Sequence, residues 1–353
     1  MKAAVYHGNR DIRIESMPEP TKAGPAEIVL EVLRGSICGT DVTEYLHGPH
    51  FASLDKPHPA SGHAGPLIMG HEFVGRIVDV GSEVEGFQVG QRVVPGAGNW
   101  CGQCKWCLTG RLNLCTKYFV YGLSANGGMA EMAKIPAIMC RQVPETCSDD
   151  GAAMAQPLAV ALHAVERSLA RPGQVMALMG VGGIGSFILA ASRAQGLGPI
   201  IAIDIDDERL EKAGQLGATY CINARSEDPV KAVQRLTGEQ GVEIFIEASG
   251  APPGPGVGLA ATQKGGHVLI VGMQAEPRNL DLHDMTYREI TISTTVAHVC
   301  DVDLPKALDI LATTDLTSLA LDRVIPLAGL VDDGIMALAD GRAKGKVVVN
   351  PKE

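Results

Sequence analysis

No stretch of this sequence concentrates lysine and arginine. The 30 basic residues are scattered and outnumbered by 40 acidic ones, for a net charge of −10. Nucleic acids and anionic membranes both reward clustered cations, so neither is expected as a partner. Long apolar runs are missing too. The most hydrophobic window, 175–191, is interrupted by glycines at 180, 182, 183 and 185, a pattern of strand, turn and helix and not of a membrane span. The first residues carry Lys2, Arg10, Asp11, Arg13 and Glu15 with no apolar run behind them, so no secretory leader and a cytoplasmic location are expected. Nine cysteines in that setting are expected to be reduced and open to metal ions. Low-complexity tails and solenoid-period repeats are absent. What remains is 353 residues, 46% hydrophobic, enough for two domains with their own cores.

The chain changes character near Ser148. Before it, short β-type runs at 3–6, 27–33, 72–80 and 91–94 are separated by Pro and Gly. Ser148, Asp149 and Asp150 then form a helix cap and acidic first turn, and one helical pattern is expected to continue to about 169 despite Pro157. From 174 onward strands expected at 175–179, 200–204, 219–222, 242–247, 267–272 and 289–296 alternate with helices, including 184–195, 207–216 and 230–236. Such alternation implies a parallel sheet covered by helices on both faces.

Three groups of residues carry chemistry. Cys38-Gly39-Thr40-Asp41 and Gly70-His71-Glu72 bracket a Gly-, Pro- and His-rich insert expected to be a loop. A thiolate and an imidazole suit zinc, whose catalytic sites use three protein ligands and keep a fourth position open. On their own, the two also fit a buried cysteine and a satisfied core histidine. Cys101, Cys104, Cys107 and Cys115 are spaced by two, two and seven residues, so that successive thiolates can turn onto one tetrahedral ion. A ferredoxin run closes instead with a three-residue gap and a proline, whereas Thr116 follows here. A closed structural zinc is therefore expected. Lastly, Gly180-Val181-Gly182-Gly183-Ile184-Gly185 follows an apolar strand and opens a helix, and Asp204 ends the next strand. This is the dinucleotide arrangement, with phosphates at the helix N-terminus and a carboxylate for the ribose hydroxyls that disfavours the 2′-phosphate of NADP. Asp206, beside it, reads as a helix cap.

These groups in this order, together with Gly-His-Glu-Phe-Val-Gly at 70–75 and Pro157-Leu158-Ala159-Val160-Ala161 with His163, resemble the zinc-dependent medium-chain alcohol dehydrogenases over the whole chain. The resemblance implies an α/β oxidoreductase: a GroES-like β-rich catalytic domain at 1–156, with a structural zinc lobe at about 96–116, and a Rossmann domain of doubly wound parallel sheet at 157–296. A segment at 297–353 would return to the catalytic domain. NAD and two zinc ions are implied, with the active site in the cleft and a homodimer or homotetramer as the assembly. The cofactor set is Gly180, Gly182, Gly183, Ile184, Gly185, Asp204, Ile205, Arg209 and Val271. Thr40 would accept and pass the alcohol proton, and Asp41 would orient His71. Within the family the long insert, with His47-Gly48-Pro49 and 57–62, is most similar to that of 2,3-butanediol dehydrogenases. A secondary alcohol or vicinal diol is therefore the expected substrate, with a sorbitol-like polyol or L-threonine as alternatives.

Two positions depart from the family pattern. Many members carry a relay histidine just after the aspartate, but Val42, Thr43 and Glu44 stand here, leaving Thr43, the cofactor ribose, His47 or His50 as proton exits. Where relatives have Glu-Pro-Leu, this chain has Gln156-Pro157-Leu158, so either Gln156 or Glu72 would complete the catalytic zinc site. The zinc-free quinone reductase branch is disfavoured by Cys38, His71, the four cysteines and Asp204. A dinucleotide sensor with an impaired metal site has Gln156 as its support.

Overall fold

The computed structural model describes residues 1–353 as two compact units, Met1–Ala159 with Val299–Glu353, and Val160–His298. The first unit is built on strand Glu27–Ser36. It pairs antiparallel with Glu72–Val80, Met132–Pro136 and Lys346–Asn350, and the last of these runs parallel to Leu321–Pro326. Ile28, Leu30 and Val32 recur at the two-residue period of a strand and pack on Phe73, Ile77, Val93 and Ile135, all at most 1% exposed. A second core joins Ile37, Val347 and Val349 to Leu327, Leu330 and Ile335. Burying those side chains fixes the C-terminal strand beside the one that leads to Cys38.

The expected loop after Cys38 is in fact helix Gly39–His47, with Cys38 as its cap. Asp41 makes the helix possible, because its Oδ2 accepts the Cys38 N–H at 2.9 Å and satisfies an orphan donor of the first turn. At the other end Glu44, 1% exposed, takes the N–H groups of His50, Phe51 and Ala52 on its carboxylate at 3.0–3.2 Å. The insert is thus tied down at its root by one buried anion. Farther along, Ser61 Oγ donates to the Ser124 carbonyl and Ser124 Oγ to that of Phe51.

The helical pattern expected through 148–169 is broken into Asp149–Ala152 and Ala155–Arg167. Pro157 has no N–H and its ring excludes the carbonyl four residues earlier, so the helix restarts with the proline in its first turn. Ser148 Oγ accepts from Gly151 N at 3.1 Å, as a cap should. The chain leaves the first unit inside helix Ala155–Arg167 and re-enters it at Val299.

The second unit is a six-stranded, all-parallel sheet ordered Tyr220–Asn223, Ile200–Asp204, Met176–Met179, Val242–Glu247, Thr262–Ile270, Thr291–Thr294. The first of these strands in the chain, Met176–Met179, lies between its second and its fourth, so winding reverses at its carboxyl end. That is the doubly wound order and its ligand-binding switch point. Ala177, Ile201, Phe245 and Val268, all 0–1% exposed, form the centre of its core.

The three amide bonds to Glu44 give a direct test. Glu44→Gln should lower the protection of the His50, Phe51 and Ala52 amides by about 1–3 kcal/mol in native-state hydrogen exchange, with the Rossmann-type sheet unaffected; unchanged protection would show that the anion does not hold the insert.

Candidate metal and dinucleotide sites

Register builds the first site. The antiparallel ladder of Glu27–Ser36 with Glu72–Val80 ends at the pair Ser36 and Glu72. Cys38 follows two residues beyond one end and His71 stands one residue before the other, so the ladder delivers both to the same place. One ligand atom each of Cys38, His71 and Glu72 lies within 4.8 Å of the others. Cys38 is half-buried, His71 is 5% exposed and Glu72 1% exposed.

The polar atoms here are incompletely satisfied. Glu72 Oε2 accepts from Ser36 Oγ and Lys346 Nζ, yet Oε1 is buried with no hydrogen-bond partner. Asp41 Oδ1 and His71 Nδ1 face each other at 3.5 Å, beyond hydrogen-bond length, and are equally without one. Buried polar atoms left unpaired cost about 1–3 kcal/mol each, so such a cluster calls for a partner. Burial opposes a charge on His71, but Asp41 and Cys38 outweigh it and hold the His71 pKa well above the usual histidine value. The pocket therefore favours a positive charge, and a thiolate, an imidazole and a carboxylate are a donor set that zinc accepts.

Around this core, Thr40 Oγ1 lies 3.6 Å from Cys38 Sγ. Thr43 is exposed and donates to the Gly39 carbonyl at 3.1 Å, and His47 and His50 are exposed as well. Gln156 is buried in the first turn of helix Ala155–Arg167, and Ser36 Oγ also contacts the Ala153 carbonyl just before that helix, at 3.2 Å. The sequence reading missed Ser36 and Lys346. Lys346, flanking an apolar run, reads as an ordinary exposed cation at a strand end.

Cys101, Cys104, Cys107 and Cys115 place their sulfurs within 4.8 Å of one another. Backbone N–H groups of Cys107 and Thr116 pull the Cys104 thiol down to about 5, those of Gln103 and Cys104 lower Cys101, and burial pushes Cys107 up to about 12. Cys115 Sγ accepts from the N–H of Cys101 at 3.2 Å and of Lys117 at 3.3 Å. Amide donors aimed at sulfur are the surroundings a thiolate ligand needs, and four thiolates fit a closed zinc site.

In the second unit Gly182 caps helix Gly183–Ala194. The glycines of this turn serve different ends. Gly180 has φ +90° and a Cβ there would meet Ser249 N at 2.6 Å, while a Cβ on Gly185 would fall 1.8 Å from the Gly180 carbonyl oxygen. Neither crowding nor strain requires glycine at 182, where φ is −74° and the nearest atom to a Cβ is Arg209 Nη1 at 3.6 Å. Gly183 has open space around its Cβ position. Bare backbone facing open space at a helix N-terminus fits an approaching phosphate.

Asp204 ends its strand 7% exposed; its oxygens accept from the N–H of Val181 at 2.9 Å, Ile205 at 2.7 Å and Asp206 at 3.2 Å. Arg209 Nη1 is 3.9 Å from Asp204 Oδ1, and Asp206 caps the next helix, accepting from Arg209 N. Ile205 is 49% exposed, and Val271 donates its N–H to the Glu247 carbonyl at 2.8 Å. Glu247 itself, missed in the sequence, is fully buried at the end of strand Val242–Glu247. Burial pushes its pKa up against hydrogen bonds from Ser249, Gly250 and Gln274. It orders the segment against which Gly180 turns.

Comparison with known proteins decides the family. The alcohol dehydrogenase GroES-like domain model matches residues 24–145 and the zinc-binding dehydrogenase model matches 183–313. (R,R)-butanediol dehydrogenase of Bacillus subtilis is 32% identical over 99% of this chain and 100% of its own. The chain belongs to the zinc-dependent medium-chain alcohol dehydrogenases. Sorbitol dehydrogenase of Bacillus subtilis is 35% identical, covering 78% of this chain and 76% of that one, and L-threonine 3-dehydrogenase of Pyrococcus horikoshii is 33% identical, covering 83% and 80%. The crystal structure of 2R,3R-butanediol dehydrogenase from Bacillus subtilis superposes with a TM-score of 0.92 at 31% identity, over 99% of each chain. As a medium-chain dehydrogenase this enzyme thus has the GroES-like and Rossmann-type domains expected of it, and the family uses zinc and NAD(P).

Two glycines of the turn should separate in experiment. Gly185→Ala in this dehydrogenase should destabilise the second unit by about 1–3 kcal/mol through overpacking. Gly182→Ala should keep its melting temperature and lose roughly tenfold or more in dinucleotide affinity by calorimetry, about 1.4 kcal/mol; wild-type affinity would remove Gly182 from the binding site.

Proposed function

We propose that this dehydrogenase interconverts a secondary alcohol or vicinal diol and the ketone, with a 2,3-butanediol and acetoin pair favoured and NAD as the coenzyme. The observation that carries the chemistry is the buried, unpartnered Oε1 of Glu72, in the residue that joins Cys38 and His71 in one donor cluster. Cys38, His71 and Glu72 would hold a catalytic zinc, and Cys101, Cys104, Cys107 and Cys115 a structural one. Bound zinc supplies a Lewis acid and bound NAD a hydride acceptor.

The chain's own side chains do the rest. Thr40, beside the Cys38 sulfur, can donate and accept a hydrogen bond at once and so take a proton from the substrate hydroxyl and pass it on. Thr43, one turn along the helix and exposed, is the next station towards water. Asp41, whose Oδ1 faces His71 Nδ1 at 3.5 Å, would orient that ring. Asp204 keeps unused acceptor capacity after its three amide bonds and can take a ribose hydroxyl, while its charge disfavours a 2′-phosphate. The substrate assignment is supported by the full-length match to the butanediol enzyme. A sorbitol-like polyol is the second reading, supported by the 35% identity to sorbitol dehydrogenase over a shorter span.

Purified protein should contain two zinc ions per chain by elemental analysis. Cys38→Ser should contain one and lose at least about 10³-fold in kcat/KM with NAD and 2,3-butanediol. Full activity with a single zinc, or in Cys38→Ser, would falsify the metal reading; sorbitol or L-threonine outcompeting the diol in kcat/KM would reassign the substrate. Glu72→Gln should release zinc faster, whereas a Gln156→Glu variant holding it far more tightly would transfer the third-ligand role to position 156.

A further inference from the structure

Lys346 is a buried cation in the wall of the metal cluster. It is 7% exposed, and lysine is rarely taken out of water without a paired charge. Its Nζ donates to the Ile37 carbonyl at 2.9 Å and to Glu72 Oε2. Those acceptors adjoin Cys38 and His71, so one ammonium bridges the two segments that carry the donor cluster. Ile37 N–H in turn bonds the Val347 carbonyl at 3.0 Å, which fixes the lysine's strand against the same segment. Ser36 Oγ claims the same oxygen of Glu72, leaving Oε1 alone without a partner.

We infer that Lys346 is a positioning residue that tunes the metal through Glu72, making a bound ion less tightly held and more electrophilic. This rests on the proposed zinc site at Cys38, His71 and Glu72. Two effects oppose each other. By fixing Oε2, the lysine presents Oε1 and so preorganises the ligand. By placing a positive charge on the same carboxylate, it withdraws donor strength from Oε1 and repels a divalent ion close by in a poorly screened interior. Preorganisation is shared with Ser36, whose hydroxyl remains when the lysine is removed, whereas the charge comes from Lys346. The electrostatic effect therefore decides the sign. A ligand that gives up less charge leaves more on the ion, which raises the ion's power to polarise an oxygen. Removing Lys346 should strengthen zinc binding and weaken turnover together.

The test uses the full chain loaded with zinc, following release to a chromophoric chelator. Cys38→Ser identifies the phase belonging to this site, since the four-cysteine lobe keeps its own. Lys346→Met should slow that phase by about tenfold or more, opposite in sign to the loss of affinity that removing a ligand's partner usually brings, and lower kcat. Lys346→Arg, which keeps the charge, should stay near wild type in both. Lys346→Gln, which can still hydrogen-bond to both acceptors, isolates charge from geometry and serves if the methionine variant does not fold; it should also slow release. Release from Lys346→Gln at or above the wild-type rate overturns the inference, because a purely structural lysine would loosen the ion when lost. If the wild type shows the cysteine-lobe phase alone, the zinc-site reading itself fails, an outcome distinct from a second phase that ignores Lys346.

Discussion

The antiparallel pairing of Ser36 with Glu72 is the constraint from which the first site follows. The ladder between Glu27–Ser36 and Glu72–Val80 is held by a packed apolar face around Ile28, Leu30, Phe73 and Ile77. Side chains alternate across a strand, so a slip of one residue would turn those groups away from their core and expose polar ones to it. The core thereby fixes the register, and the register fixes where Cys38 and His71 meet. The same logic extends to Lys346–Asn350, whose valines anchor it in the second core and leave its first residue beside Ile37.

Burial then makes the site electrostatically demanding. Asp41, His71, Glu72 and Lys346 are all under 10% exposed, so their charges are poorly screened and must balance locally. Lys346 offsets one carboxylate. Burial opposes a charge on His71, but Asp41 and Cys38 outweigh it and raise its pKa. A metal cation bound by these side chains would meet the same charges. The metal and proton thus compete for one set of atoms, as is general for imidazole and thiolate ligands.

The second unit was more legible in the sequence than the first, for a physical reason. Strands buried on both faces by helices need unbroken apolar runs such as Ile200–Ile203, which stand out between turns; each of its six strands overlaps the expected range. In the first unit, helix Gly39–His47 is written mostly in polar residues, and it forms because Asp41 accepts the N–H of its cap Cys38 and because Tyr45 joins a core with Met129, Leu327 and Val347, all distant in sequence. Strand Lys346–Asn350 opens on a lysine that owes its burial to Glu72, 274 positions away. Side chains whose partner lies far along the chain leave no local pattern. The cysteine spacing and the glycine turn were readable because their function depends on neighbours in sequence.

With the proposed ligands, the two metal sites differ in a way that their charges explain. Four thiolates supply four negative charges to one ion and fill every position, and amide donors at Cys101, Cys104 and Cys115 steady them. That is a composition for retention. The other cluster offers one thiolate and one carboxylate, and Lys346 donates to that carboxylate. The lysine offsets negative charge that would hold a cation more firmly. A catalytic ion gains polarising power from the same deficit, so weak donation belongs to an active site as full donation belongs to a structural one.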